Sequence, residues 1–148
     1  MSAVNDCLFC KIISGDVKAT VVYEDDTALA FLDHRPLFVG HTLVVPKGHF
    51  ETLSDLPSEL VGPFFERVQL LSRAVEAAMS AEGTFVAMNN RISQSVAHLH
   101  AHVVPRRRKD GLKGFFWPRT KYSGDEEMTE VQQRILIAVR KLKAAGKE

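Results

Sequence analysis

Short apolar runs broken by turn residues fill most of the chain, and a longer period interrupts them once. Val21-Val22-Tyr23-Glu24 and Ala28 to Asp33 are two such runs around Asp25-Asp26, which predicts a β-hairpin. Gly40-His41-Thr42-Leu43-Val44-Val45-Pro46 predicts a third strand, framed by glycine and proline. From Pro57 to Ala81 the period changes: Leu60, Phe64, Val68, Leu71, Val75 and Met79 recur at steps of three and four, the pattern of a helix with one buried stripe. Gly62-Pro63 predicts a kink or a late start, because an interior proline removes a backbone donor and crowds the preceding turn. Gly83 supplies a stop and Phe85 to Asn89 a fourth strand. Residues 94–105 close the series, with His98, His100 and His102 alternating with Leu99, Ala101 and Val103 until Pro105 ends the run. On a strand, positions i, i+2 and i+4 share a face, so a fifth strand would carry three imidazoles on one side and an apolar surface on the other.

Two further segments flank these. Near the start, Cys7-Leu8-Phe9-Cys10-Lys11-Ile12-Ile13 predicts a short helical or turn segment closed by Ser14-Gly15-Asp16. Beyond the fifth strand, residues 106–124 predict a loop holding Phe115-Phe116-Trp117. Ser123 and Glu126 then sit three apart ahead of Met128, Val131, Ile135, Ala138, Val139 and Leu142, which predicts a capped amphipathic helix at about 125–145. Hairpin strands with segregated helices imply an α+β fold, a five-stranded antiparallel sheet with a long central helix and an extra C-terminal helix. No repeat or boundary divides it, so residues 1–148 are expected to form one domain with its core at 7–122.

Composition changes this picture little. A chain of 148 residues, 45% hydrophobic and 25% charged, is ordinary for one globular domain. The formal charge of +1 predicts no bulk attraction to nucleic acid. Locally, seven cations between Arg106 and Lys121 face Asp110 alone, either a solvated basic loop or help in attracting a phosphate-bearing ligand. Met1 to Asp6 shows no basic region followed by an apolar run, and nothing approaches membrane-spanning length, so a cytoplasmic protein with no membrane partner is expected. Two cysteines then read as reduced thiols.

Candidate chemistry concentrates on the histidines. Alternate imidazoles on a strand can present nitrogens to a metal, or one ring can attack an electrophilic phosphorus while its neighbours stabilise charge. Cys7 and Cys10 have the spacing of half a zinc site.

His98-Leu99-His100-Ala101-His102-Val103-Val104 resembles the histidine triad family, whose hallmark alternates histidine with apolar residues. Cys-x-Phe-Cys-Lys-Ile-Ile, Val-Tyr-Glu-Asp-Asp, Phe-Leu-Asp, Gly-His-Thr-Leu-Val-Val-Pro-Lys and Gln-Ser-Val extend the resemblance over roughly residues 7–105, in order. His102 stands where the family's transferase branch has glutamine, so the chain is similar to the bacterial nucleotidyl-hydrolase branch. The resemblance implies that His100 attacks the α-phosphate of a nucleoside phosphoramidate, anhydride or dinucleoside polyphosphate. His102 would then bind phosphate oxygens and protonate the leaving group, while His41 orients the rings. It assigns Asp33 to the ribose hydroxyls, Phe9 and Ile12 to the base, and Asn89, Gln94 and Ser95 to phosphate or ribose of a purine nucleotide. It also implies a structural zinc ion on Cys7, Cys10, His49 and His98, and a homodimer to which Phe115-Phe116-Trp117 could contribute. The loop Arg91-Ile92-Ser93 is shorter than the family's glycine-containing one. Two alternatives stand beside this function: a nucleotide-binding sensor with negligible turnover, and a metalloenzyme with His98, His100 and His102 on one catalytic metal.

Overall fold

The computed structural model describes residues 6–112 and 119–146, in two compact units, Met1–Asp110 and Gly111–Glu148. The first begins with helix α1 (Leu8–Ser14), followed by β1 (Val21–Glu24), β2 (Ala28–Leu32) and β3 (Thr42–Pro46). A single 3-10 turn at Leu53–Asp55 leads into the long helix α2 (Ser58–Ala78), then β4 (Gly83–Ala87) and β5 (Ala101–Arg106). The sheet is antiparallel throughout, in the order β1-β2-β3-β5-β4.

Both faces of the sheet centre are covered, which explains why Ala28–Leu32 and Thr42–Pro46 are continuous apolar runs and not alternating ones. Ala28, Ala30, Val44, Ala101 and Val103 meet Phe64, Val68, Leu71 and Val75 of α2. On the opposite face Leu29, Phe31, Leu43 and Val45 meet Cys7 and Phe9. Each fully buried large apolar side chain contributes about 1.5–3 kcal/mol, so α2 is held by its stripe and not by propensity.

Several boundaries differ from those the sequence predicts. Helix α2 begins at Ser58 and continues through Pro63, so there is no late start. It ends at Ala78, with Met79 as its cap, and Ser80 takes a left-handed φ of 50°; Gly83 opens β4 and does not stop the helix. Strand β4 ends at Ala87, leaving Asn89 in the following loop. Strand β5 begins only at Ala101, so His98 and His100 precede it and His102 alone lies on it. The cause lies in β3. Antiparallel pairing of Val44 with Ala101 would bring Pro46 opposite Leu99, but proline has no N–H, and its carbonyl accepts from the His98 ring. Leu99 N–H turns instead to Phe50 O at 2.7 Å. Sidedness survives: Leu99 packs with the α2 cluster, while His98 and His100 lie on the α1 face, where Phe9 touches both rings.

Three of the cations at and just beyond the end of β5 are tied down locally. Arg106 forms a two-pronged pair with Asp110 at 2.5 and 2.9 Å. Arg107 donates to the carbonyl of Met79, capping the C-terminal end of α2, and Arg108 pairs with Glu82 at 3.1 Å. These three therefore serve the turn and the helix end.

The second unit contains α3 (Asp125–Gly146). Its lead-in is not the predicted Ser123–Glu126 box: Glu127 accepts from Ser123 N–H at 2.6 Å. Phe115, Phe116 and Trp117 lie outside the described residues. No described helix is long and apolar enough to cross a membrane.

Candidate functional site

Two clusters occupy the α1 face of the sheet, and each histidine is defined by what its second nitrogen touches. In the first, Cys7 opens α1, His49 follows β3, and His98 precedes β5. Cys7 Sγ is 3.4 Å from His98 Nδ1, and Cys10 Sγ lies 3.3 Å from His49 Nδ1 and 3.6 Å from His98 Nδ1. All four ligand atoms fall within 4.8 Å of one another. A tetrahedral zinc ion, with bonds of about 2.3 Å to sulfur and about 2.0–2.1 Å to nitrogen, sets sulfur–nitrogen edges of roughly 3.5 Å. His98 Nε2 is 3.0 Å from Pro46 O and must donate to it, so Nδ1 keeps a lone pair facing the thiols. Burial lowers the His98 pKa to about 4 despite that bond, so the ring is neutral, as a ligand must be. Burial and Cys7 push the Cys10 thiol up to about 11 without a cation beside it. Geometry, tautomer and donor set all fit a tetrahedral divalent metal.

The second cluster is a relay of hydrogen bonds. His41 Nδ1 accepts from Leu37 N–H at 3.0 Å, so its proton sits on Nε2. Nε2 is 3.0 Å from His102 Nδ1 and 3.6 Å from Asp33 Oδ2. His102 must therefore accept at Nδ1 and carry its own proton on Nε2. Asp33, His41 and His102 also have their ligand atoms within 4.8 Å, but a metal on His41 Nε2 would shift the proton to Nδ1, against Leu37 N–H. Gly40 sets the approach of His41, with φ of 103° and a hypothetical Cβ only 2.7 Å from Met79 Cγ. Burial lowers the pKa of His41, and brings that of His102 down to about 4, with the neighbouring rings of His100 and His41 adding.

His100 stands between the clusters. Its Nδ1 donates to His98 O at 2.7 Å, leaving Nε2 as a neutral nucleophile with a free lone pair. Burial lowers its pKa too. Its ring meets Phe9 and His102, each with centroids 5.0 Å away. The three triad histidines do not share one metal: His98 groups with the cysteines, His102 with Asp33 and His41, and His100 with neither. That overturns the single catalytic-metal alternative for the described residues.

Beside the relay, a cleft of about 540 Å³ opens between α1 and the β2–β3 end of the sheet. Leu8, Ile12, Phe31 and Leu43 line it, with Asp33 and His41 at one part of its wall. Phe9 does not line it; the ring is buried behind, against His100, His98 and Phe31. Asn89 donates to Ser93 O at 3.1 Å. Gln94 spends its amide on Glu51 O and Arg91 N–H. Ser95 borders a separate hollow with Asp6, Cys7 and Leu8. The sequence gives no sign of Leu37 N–H, Pro46 O or His98 O, because these are backbone atoms, and their roles do not depend on side-chain identity.

Comparison with known proteins bears on this geometry. The model of the HIT domain matches residues 14–109. The protein hit of Bacillus subtilis (strain 168) is 37% identical over 148 residues, 99% of this chain and 100% of that one. An adenosine 5′-monophosphoramidase of Schizosaccharomyces pombe is 34% identical over 122 residues, 81% of this chain and 89% of that one. A Zn-bound histidine triad family protein from Mycobacterium smegmatis superposes with a TM-score of 0.70 at 37% identity, covering 94% of this chain and 99% of its own.

Proposed function

The chain belongs to the HIT domain family, and on that premise we propose that it hydrolyses nucleotides at the α-phosphate through a nucleotidyl-histidine intermediate. The observation that carries the proposal is the fixed tautomer of His100, whose Nδ1–H is held by His98 O at 2.7 Å and whose Nε2 is left to attack. In the first step Nε2 bonds to phosphorus as the bond to the leaving group breaks; that group takes its proton from solvent, while His102 stays neutral and donates Nε2–H to the phosphoryl oxygens. In the second, water attacks phosphorus and gives up its proton to solvent as the nucleoside monophosphate leaves His100. Two displacements replace one harder one, and a fixed donor aimed at the phosphoryl oxygens stabilises the charge that develops there.

The cleft next to the relay suits a nucleoside. Its volume lies in the range of small-molecule sites, Ile12 and its apolar neighbours would meet the base, and the acceptor-only carboxylate of Asp33 suits two ribose hydroxyls. Phe9 belongs behind His100, as a packing wall for the nucleophile. Ser95 is retained as a phosphate donor, while Asn89 and Gln94 hold the loop before the triad. The phosphoramidase name of the Schizosaccharomyces pombe relative supports a phosphoramidate among the substrates.

Zinc on Cys7, Cys10, His49 and His98 is the second part of the proposal, supported by the tetrahedral fit and by the Zn-bound relative. It would join α1 to the loops after β3 and before β5, a structural task that leaves His100 and His102 to chemistry. A homodimer is the third part: β4 lies at a sheet edge with Val86 exposed, where a second copy could extend the sheet, and sedimentation at a single-chain mass would refute it.

Mass spectrometry of protein quenched while turning over adenosine 5′-phosphoramidate tests the mechanism. A nucleotidyl adduct on His100 is expected, with His100→Ala at the background rate. An adduct elsewhere, or equal hydrolysis by His100→Ala, would overturn it, and binding without turnover would favour the sensor.

A further inference from the structure

Lys18 and His34 line the same cleft, on two different loops, in a wall that is otherwise largely apolar. The backbone of each is held in place. Gly15, with φ of 90°, closes α1, and Asp16 and Val17 both donate to Lys11 O, at 2.9 and 3.1 Å, immediately before Lys18. Two residues later Thr20 O accepts from Leu32 N–H at 2.9 Å, which ties the segment to β2. His34 is spanned by a turn in which Asp33 Oδ1 accepts from Arg35 N–H at 2.9 Å. Neither Lys18 nor His34 has an ion-pair or hydrogen-bond partner for its side chain among the described residues.

Their chemistry is one-sided. The lysine ammonium has three donors and no acceptor, and a histidine ring can always present an N–H outward. The Asp33 carboxylate, the one acidic side chain lining the cleft among the described residues, is the group assigned above to the ribose. A base seated against Leu8, Ile12 and Phe31 therefore has its remaining polar edge met by donors. Guanine and hypoxanthine offer two adjacent acceptors, O6 and N7, along one edge; adenine offers N7 beside an N6 amino group that is itself a donor. An adenine N6 facing the ammonium would place donor against donor, an unpaired contact that costs binding.

We propose that Lys18 and His34 determine base specificity, selecting 6-oxopurine nucleotides over adenine nucleotides by donating to O6 and N7. This deepens the nucleotide-hydrolase reading and rests on it. The donors are near solvent, so the discrimination expected is about tenfold, the lower end of what a good donor pair on guanine gives.

The test measures kcat/KM for guanosine and adenosine 5′-phosphoramidates, and the Kd of GMP and AMP by calorimetry, in the full chain and in Lys18→Met, His34→Leu and the double variant. Both side chains are exposed, and an unchanged thermal midpoint for each variant checks that the fold is kept. The expected result is a guanosine preference of about tenfold in the wild type, carried by KM and Kd, that falls in each single variant and approaches one in the double. A wild type that binds both monophosphates equally, or prefers adenosine, overturns the specificity assignment and leaves the hydrolase reading standing. A preference that survives the double variant overturns it as well. Failure of the wild type to bind either monophosphate or to cleave either substrate sinks both.

Discussion

His102 has its pKa pushed down to about 4, first by burial and then by the rings of His100 and His41. The relay needs it neutral, because a second proton on Nδ1 would remove the acceptor that His41 Nε2–H uses at 3.0 Å. Activity should accordingly persist as pH falls below 6.5, since burial lowers the pKa of His100 and His41 as well, and be largely lost once pH drops past about 4, a profile read from kcat/KM against pH. A loss already centred near 6.5, the ordinary value for histidine, would mean that burial does not control the ring. The sign for stability follows from the same shift. Between 6.5 and about 4 the unfolded chain binds the proton and the folded one does not, so stability is present above that window and declines as pH falls through it. Asp25 shows the opposite chemistry with the same sign. Burial pushes its carboxyl up, but donors from Tyr23, Ala28, Thr27 and Arg67 outweigh burial and hold it well below the usual carboxylate range. Its contribution is lost only in stronger acid, as pH falls below the carboxylate's ordinary value.

At the scale of elements, the loop between β4 and β5 shows how far a sequence can be read. The central strands were legible because turn residues bracket apolar runs, and α2 because six apolar residues keep one period. Where β5 begins was not, since that is decided by Pro46, a residue more than fifty positions away that lacks an N–H for the ladder. The site divided in the same way. Side-chain ligands such as Cys7, Cys10, His49 and His98 could be proposed together from a family resemblance, whereas the carbonyls and amides that set each tautomer emerge only when the chain is folded. The loop at 91–93 lay between the two. Its shortness was visible in the sequence, and the structure shows the cost: Arg91 and Ser93 take left-handed φ values of 73° and 60°, where residues with a Cβ are strained. Ser93→Gly should relieve that strain and stabilise the protein by about 0.5–1 kcal/mol after glycine's entropic cost, raising the thermal midpoint by a few degrees. A lowered midpoint would show that the serine side chain contributes to the loop.

Across the whole molecule, α1 links the two clusters. It has only seven residues, too few to persist as an isolated helix, yet its Leu8 and Ile12 form one wall of the cleft and its Phe9 backs the nucleophile. Packing and the Cys7–Cys10–His49–His98 cluster hold it in place. If zinc occupies that cluster, chelation should lower the thermal midpoint and loosen nucleotide binding together. Protein carrying Cys7→Ser and Cys10→Ser should have no zinc and a midpoint that chelator no longer moves. Metal analysis with calorimetry reads both, and retained zinc in the double variant would refute the site.

The bond from Leu37 N–H to His41 Nδ1 also bears on which substitutions the sequence can absorb. Half of the Leu37 side chain is open to solvent, and the side chain has no part in the relay. Natural drift at this position is therefore nearly free, except toward proline, the single residue that cannot supply the amide hydrogen. A substitution that looks conservative for a surface turn next to Pro36 would silence the proton order of two rings, His41 and His102, and a tally of side-chain contacts would give no warning of it.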